Sequence, residues 1–306
     1  MSRAVRFDRF GGPEVLRIDE VEQPVPGAGE VLVEVRAAGL NPVESGIRGG
    51  YLQAVYPVEF PSGQGKDLAG VVAAAGPGVT GYAPGDEVIG FTFEPGTQAE
   101  HVVVPAGQLT RRPPEVPWEQ AGALYTVGAA AYASVRAVAV GAGDTVVVAN
   151  AAGGVGSVAV QLARIAGATV IGLAGEQHHD WLRAHDVVPV AYGDGVEERV
   201  RAAAGDKVDA FIDAFGAEYV DLALTLGVQP DRINTLRNFE AVGRHGVKAQ
   251  GNKDASTPAV LAELAGLIAA GHLEIPVEAT YPFTEVVAAY DRLDERHTLG
   301  KLVLVP

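Results

Sequence analysis

Residues 145–174, TVVVANAAGGVGSVAVQLARIAGATVIGLA, constrain this chain more than any other stretch. Thr145 to Ala149 is a short β-branched run, the pattern of a strand covered on both faces. Asn150 to Gly156 is a tight glycine turn. Val155, Val158, Ala159, Leu162 and Ala166 then recur at helical spacing, and Gly167 stands where a C-cap glycine belongs. Val170 to Leu173 is a second apolar strand. The stretch reads strand, turn, helix, strand, which is one βαβ unit.

The turn has the form A-x-G-x-x-G, with Ala151, Gly153 and Gly156 at the marked positions. Glycine is required there for steric reasons. Without a Cβ, Gly153 and Gly154 let backbone N–H groups approach a pyrophosphate, while Gly156 lets the helix pack closely on the strand. A glycine triplet alone is weak in a chain with 39 glycines. Its place after a strand and before a helix is the context that supports nucleotide binding. The expected cofactor-binding residues are Asn150, Ala152, Gly153, Gly154, Val155 and Gly156 in the turn, with Ala174, His178, Tyr192 and Phe215 near later strand ends.

Composition narrows the rest. The 306 residues suffice for one large domain or two ordinary ones, and 48% hydrophobic with 20% charged residues is an ordinary globular mix. A formal charge of −15 argues against nucleic-acid or anionic-membrane partners. With no cysteine, disulfides and thiolate metal sites are impossible. The opening MSRAVRFDRFGG has no apolar signal core, so a cytoplasmic protein is expected.

Residues 3–36 read as β structure, with Val31, Val33 and Val35 alternating along one strand. Residues 37–51 read as a glycine-rich loop. Strands are expected at 69–75, 87–91 and 99–104, separated by Gly/Pro turns. Composition changes at Pro113, Pro114 and Pro117, and the alanine-rich residues 119–140 read as helices. Strands at 145–149, 169–173, 187–191, 208–212 and 231–236 then alternate with helices near 154–166, 178–185, 195–203 and 217–226. That pattern predicts an α/β fold with a parallel sheet. A helix at 258–270, a strand at 273–277, a helix at 283–296 and a strand at 301–305 follow.

The motifs, taken in order, resemble the medium-chain dehydrogenase/reductase superfamily, in particular its zinc-free quinone oxidoreductase branch, which includes zeta-crystallin. They are GEVLVEVRAAGLN at 29–41 with Pro42-Val43-Glu44, GKDLAGVV at 65–72, PGDEVI at 84–89, QAEHVVVP at 98–105, AAGGVGSVAVQLA at 151–163 and GKLVLVP at 300–306. The resemblance covers essentially the whole chain. It implies a GroES-like β-barrel domain at 1–118 and 267–306, and a Rossmann doubly wound parallel-sheet domain at 119–266, with the active site in the cleft. It also implies a homodimer joined through the edge strand near Arg232 to Leu236. Zinc alcohol dehydrogenases carry a Cys where this chain has Gly39 to Val43, a His where it has Lys66, and a four-cysteine lobe where it has Gly90 to Gly96. No metal is therefore expected.

The resemblance implies hydride transfer from NADPH, with NADH as the other carrier, to a quinone or to the C=C bond of an α,β-unsaturated carbonyl (an enone or enal). The other readings are a stand-alone enoyl-reductase-like tailoring enzyme and a cofactor-binding protein with little turnover. The catalytic candidates are Asn41, Tyr51 and Thr126. Asn41 is read either as a donor to a carbonyl or as a turn-stabilising amide. Tyr51 is read either as a donor or as a half-buried ring near Tyr56. The family threonine near the nicotinamide is Ala130 here, so either Thr126 or Tyr125 compensates for it or the small residue leaves room for a bulkier substrate. Lys301, in the family's closing motif, is read either as facing the cleft or, in preference, as a solvated lysine. At Ala174 the acid that selects NAD is missing, and Gly175 and Gln177 lack the usual phosphate clamp. His178, His179, Arg183 and Tyr192 remain to favour NADPH modestly, against Glu176.

Overall fold

Val31, Val33 and Val35 are buried while Glu34 and Arg36 are not, so one face of this strand is set inward, although Leu32 in the other row is buried as well. A computed structural model describes every residue except Asp206 and Ala217. In chain order it begins with β1 (Ser2–Phe7), β2 (Arg17–Val21), β3 (Glu30–Gly39), α1 (Pro42–Arg48), β4 (Ser62–Gly63), β5 (Asp67–Ala75), β6 (Glu87–Phe91), β7 (His101–Pro105) and β8 (Leu109–Arg111). Helices α2 (Trp118–Gly122) and α3 (Leu124–Ala137) follow. Next come β9 (Thr145–Ala149), α4 (Gly154–Ile165), β10 (Thr169–Ala174), α5 (His179–Ala184), β11 (Val187–Ala191), α6 (Val196–Ala204), β12 (Ala210–Asp213), α7 (Tyr219–Thr225), β13 (Ile233–Thr235) and α8 (Phe239–His245). The chain closes with α9 (Pro258–Ala269), β14 (Val277–Pro282), α10 (Val286–Asp294) and β15 (Lys301–Val305).

The chain divides into two compact units. Unit 1 holds residues 1–126, 257–270 and 277–306, and unit 2 holds 127–256 and 271–276. The domain limits expected at 119 and 267 differ from these. Residues 119–126 belong to unit 1, where α2 packs on β3 and β5, and α9 packs on β6 and β8. Unit 1 is the GroES-like β domain: β14-β15-β3-β5-β6-β8 form one sheet with β7 also paired to β3, and β2-β1-β4 form a second.

Unit 2 is a Rossmann-type domain. Its sheet runs β11-β10-β9-β12-β13, all parallel, so strand order reverses beside β9. The glycine turn lies at that reversal, where such sheets take their ligands. β13, near the Arg232 to Leu236 edge, is the last strand of the sheet, and Lys248 adds one isolated bridge beside it. Thr235 N–H donates to the Lys248 carbonyl, and Lys248 N–H donates to the Ile233 carbonyl, each at 2.9 Å.

Three local expectations differ from the structure. Residues 37–51 contain α1, whose signals are Asn41 at the N-cap, Pro42 at the first position and Glu44 completing a capping box. The strand expected at 273–277 begins only at Val277. The helix expected from 217 runs Tyr219–Thr225, and Ala217 lies outside the described residues.

Candidate functional site

In unit 2, β9 delivers the chain to Asn150, whose φ of 59° is left-handed and reverses the backbone into α4. Gly153 is the N-cap. Gly153, Gly154 and Val155 are partly exposed, so their backbone is accessible at the helix start, while Ala151, Ala152 and Gly156 are buried. The two glycines of the fingerprint do different things. A Cβ on Gly156 would lie 1.9 Å from the Asn150 carbonyl oxygen, so Gly156 is needed for backbone packing. A Cβ on Gly153 would meet only the Asn150 side chain, at 2.5 Å. The residues fit a pyrophosphate: accessible amides at the first turn of a twelve-residue helix, kept open by a missing Cβ.

The other expected nucleotide residues gather at strand ends. Ala174 ends β10 and is buried, and its carbonyl sits 3.2 Å from His179 Nε2. His178 is partly buried in the short 3-10 turn after it. Arg183, held for the 2′-phosphate, is paired with Asp180 at 2.7 Å on the surface. Tyr192 turns its hydroxyl to the Asn150 backbone amide, and burial pushes the phenol well above its ordinary value. Its ring lies 5.9 Å from Phe215, which packs edge-on to Tyr219 at 5.3 Å. Burial also raises Tyr219, to about 12. The Asn150 amide reaches the Ala214 carbonyl at 3.5 Å, tying the glycine turn to the loop that bears Phe215.

Unit 1 gathers the catalytic candidates differently from the expectation. Asn41 is 1% exposed, and both its amide hydrogens are used, on Glu44 Oε1 at 3.1 Å and Asp67 Oδ2 at 3.2 Å. Its oxygen accepts from Lys301 Nζ at 2.5 Å. Both amide hydrogens are thus spent inside this buried set, and none is left for a substrate carbonyl. Tyr51 is 87% exposed rather than half-buried. Thr126 donates from Oγ1 to Asp67 Oδ1 at 2.5 Å, and its amide donates to the same oxygen at 3.1 Å. It is the partly exposed member of a buried set.

Sequence reasoning missed most of that set. Lys301, read as solvated, is 3% exposed, donates to the Leu40 carbonyl and lies 3.8 Å from Asp67. Tyr290 donates to Glu44 Oε2 at 2.5 Å, and the Gln98 amide donates to Tyr290 at 2.7 Å. Arg48 lies over the Tyr290 ring at 4.6 Å. Burial raises the Glu44 and Asp67 carboxyls and lowers the Lys301 ammonium, with the Asp67–Lys301 attraction opposing both changes in that pair. The capping box was the one available signal for Glu44. Nothing in a linear sequence signals that Lys301 meets Asn41.

These residues do not fit a zinc ion. A tetrahedral site needs Cys, His or carboxylate ligands within reach. The position of the zinc enzymes' histidine holds Lys66, whose ammonium donates to the Phe93 carbonyl and lies 4.6 Å from the Tyr56 ring centroid. Among the described residues no group of three or more His, Cys, Asp or Glu side chains could hold a metal.

Comparison with known proteins agrees with this architecture. Residues 27–114 match the profile described as alcohol dehydrogenase GroES-like domain, and 182–304 match zinc-binding dehydrogenase. The rat (Rattus norvegicus) quinone oxidoreductase is 34% identical over 70% of this chain and 66% of its own length. The mouse (Mus musculus) quinone oxidoreductase is 33% identical over 74% of this chain and 70% of its own. The Escherichia coli quinone oxidoreductase complexed with NADPH superposes with a TM-score of 0.89 at 26% identity, covering 100% of both chains. With the fold, the glycine turn and these relatives in agreement, the chain belongs to the medium-chain dehydrogenase/reductase superfamily, in its quinone oxidoreductase branch.

Proposed function

We propose that this chain is a metal-independent, NADPH-using oxidoreductase that reduces a quinone or the conjugated C=C bond of an enone or enal. The carrying observation is the turn at the reversal of the parallel sheet, with the partly exposed Gly153, Gly154 and Val155 at the start of α4. A bound nicotinamide supplies the hydride. The amides of the turn hold the pyrophosphate, and Ala174 removes the carboxylate that would repel a 2′-phosphate. In unit 1, Asp67 accepts from both the hydroxyl and the amide of Thr126 and so fixes this partly exposed residue as the polar group offered to the acceptor.

The test is kcat/KM with NADPH and NADH on a panel of quinones, 2-alkenals and enoyl thioesters, before and after exhaustive chelation. Turnover of a quinone or enal, an NADPH preference of about tenfold and no effect of chelation are expected, since one charged hydrogen bond is worth about 1.5–3 kcal/mol. No turnover across the panel, a comparable NADH preference, or a loss that zinc alone restores would overturn the reading.

A further inference from the structure

At the far end of the unit 2 sheet, one buried carboxylate and one buried hydroxyl organise two loops. Asp213 ends β12 and Thr235 ends β13, and both are fully buried. Asp213 Oδ1 accepts from the amides of Phe215 at 2.9 Å and Gly216 at 2.7 Å. Its Oδ2 accepts the Thr235 hydroxyl at 2.7 Å. Thr235 Oγ1 in turn accepts from the amides of Arg237 at 3.2 Å and Asn238 at 2.9 Å. The pair thus satisfies four loop amides, two on each side. The loops also touch: a Cβ on Gly216, at φ +97°, would lie 3.1 Å from Arg237 Cβ.

This bonding has a polarity. Thr235 has one hydrogen, and Asp213 takes it, which leaves the threonine's lone pairs for two backbone donors. Phe215, whose amide Asp213 holds, is 48% exposed, and Ala214 is tied back to Asn150 of the glycine turn. β10, whose end receives the adenine ribose in such folds, lies on one side of β9, and β12 and β13 lie on the other. A dinucleotide whose pyrophosphate sits on the turn after β9 must therefore extend its second half over the loops after β12 and β13.

We propose that Asp213 and Thr235 are positioning residues for the nicotinamide half of the nucleotide, an inference that rests on the function proposed above. The two side chains are buried and touch no ligand themselves. They act by fixing the backbone on which that half rests.

The experiment uses the full chain and two probes, NADPH and adenosine 2′,5′-bisphosphate, the latter lacking the nicotinamide half. Thr235→Val should weaken NADPH by about tenfold while leaving the bisphosphate within about twofold, and Thr235→Ser should restore NADPH binding. Asp213→Asn, which cannot accept the threonine hydrogen at its amide nitrogen, provides the same reading should the valine variant fail to fold. Equal weakening of both probes, or unchanged NADPH affinity in a folded variant, overturns the inference alone. A wild-type chain that binds neither probe overturns the proposed function and this inference with it.

Discussion

The two units bury charge in opposite ways. In unit 1 Glu44, Arg48, Lys66, Asp67 and Lys301 are all buried, whereas among the described residues of unit 2 Asp213 is the one buried charged side chain. The unit 2 core is aliphatic and aromatic, with Val147, Ile171, Leu173, Phe211 and Ile233 at 0% exposure. Its one carboxylate stands at a strand end, solvated by amides and a hydroxyl. Buried ion pairs rarely stabilise more than well-packed apolar groups would, while breaking one is expensive. Unit 1 therefore spends stability on a defined arrangement of Asn41, Asp67 and Thr126, while unit 2 keeps its buried polar groups neutral apart from Asp213 at the loop edge.

The strongest way to break this contrast is to remove the ammonium. Lys301→Met should destabilise unit 1 by about 3–5 kcal/mol, because the buried Asp67 carboxyl loses the ammonium 3.8 Å away. Adding Asp67→Asn should recover part of that loss, which chemical denaturation of the single and double variants measures. If Lys301→Met unfolds like the wild type, the buried charges of unit 1 carry no such cost.

Within unit 2 the two fingerprint glycines should fail differently. Gly156→Ala places a Cβ against the Asn150 carbonyl at 1.9 Å and should cost about 1–3 kcal/mol through overpacking. Gly153→Ala meets a side chain that can rotate, so thermal stability should hold while NADPH affinity falls by about tenfold or more. Paired melting curves and nucleotide titrations decide it, and equal stability losses would merge two roles separated here.

The smallest expected effect is on pH dependence. Burial raises Glu44 above its ordinary 4.5, so the folded state keeps a proton that the unfolded state has released. Stability from this group is therefore full below that value and declines as pH rises through the higher folded one. Glu44→Gln removes the titration, so its stability should fall less than that of the wild type between about pH 4.5 and neutrality. Parallel slopes would remove Glu44 from the account.

Periodicity explains what was legible. The strands at 145–149 and 187–191 and the helix at 154–165 match the reading almost residue for residue, because buried strands and amphipathic helices write their geometry into neighbouring residues. Helix α1 escaped because its apolar content is slight, although Asn41, Pro42 and Glu44 spell its cap. The unit 1 network escaped for a different reason. Tyr290 meets Glu44 across 246 positions and Lys301 meets Asn41 across 260, and local propensity carries no trace of such meetings. The edge beside β13 escaped likewise, since residues 247–250 add their pairing without forming a regular strand.

The distance between Asn41 and Lys301 also sets an order of events during synthesis. The carboxylates of unit 1 leave the ribosome long before the ammonium that neutralises them, which follows Asn41 by 260 residues. At about 5–20 residues per second the interval is roughly 13–52 s. Over that time residues 127–256, most of unit 2, are available in full. The nascent chain can thus complete its nucleotide platform while the barrel still waits for its last strand, so the first unit begun is the last one finished.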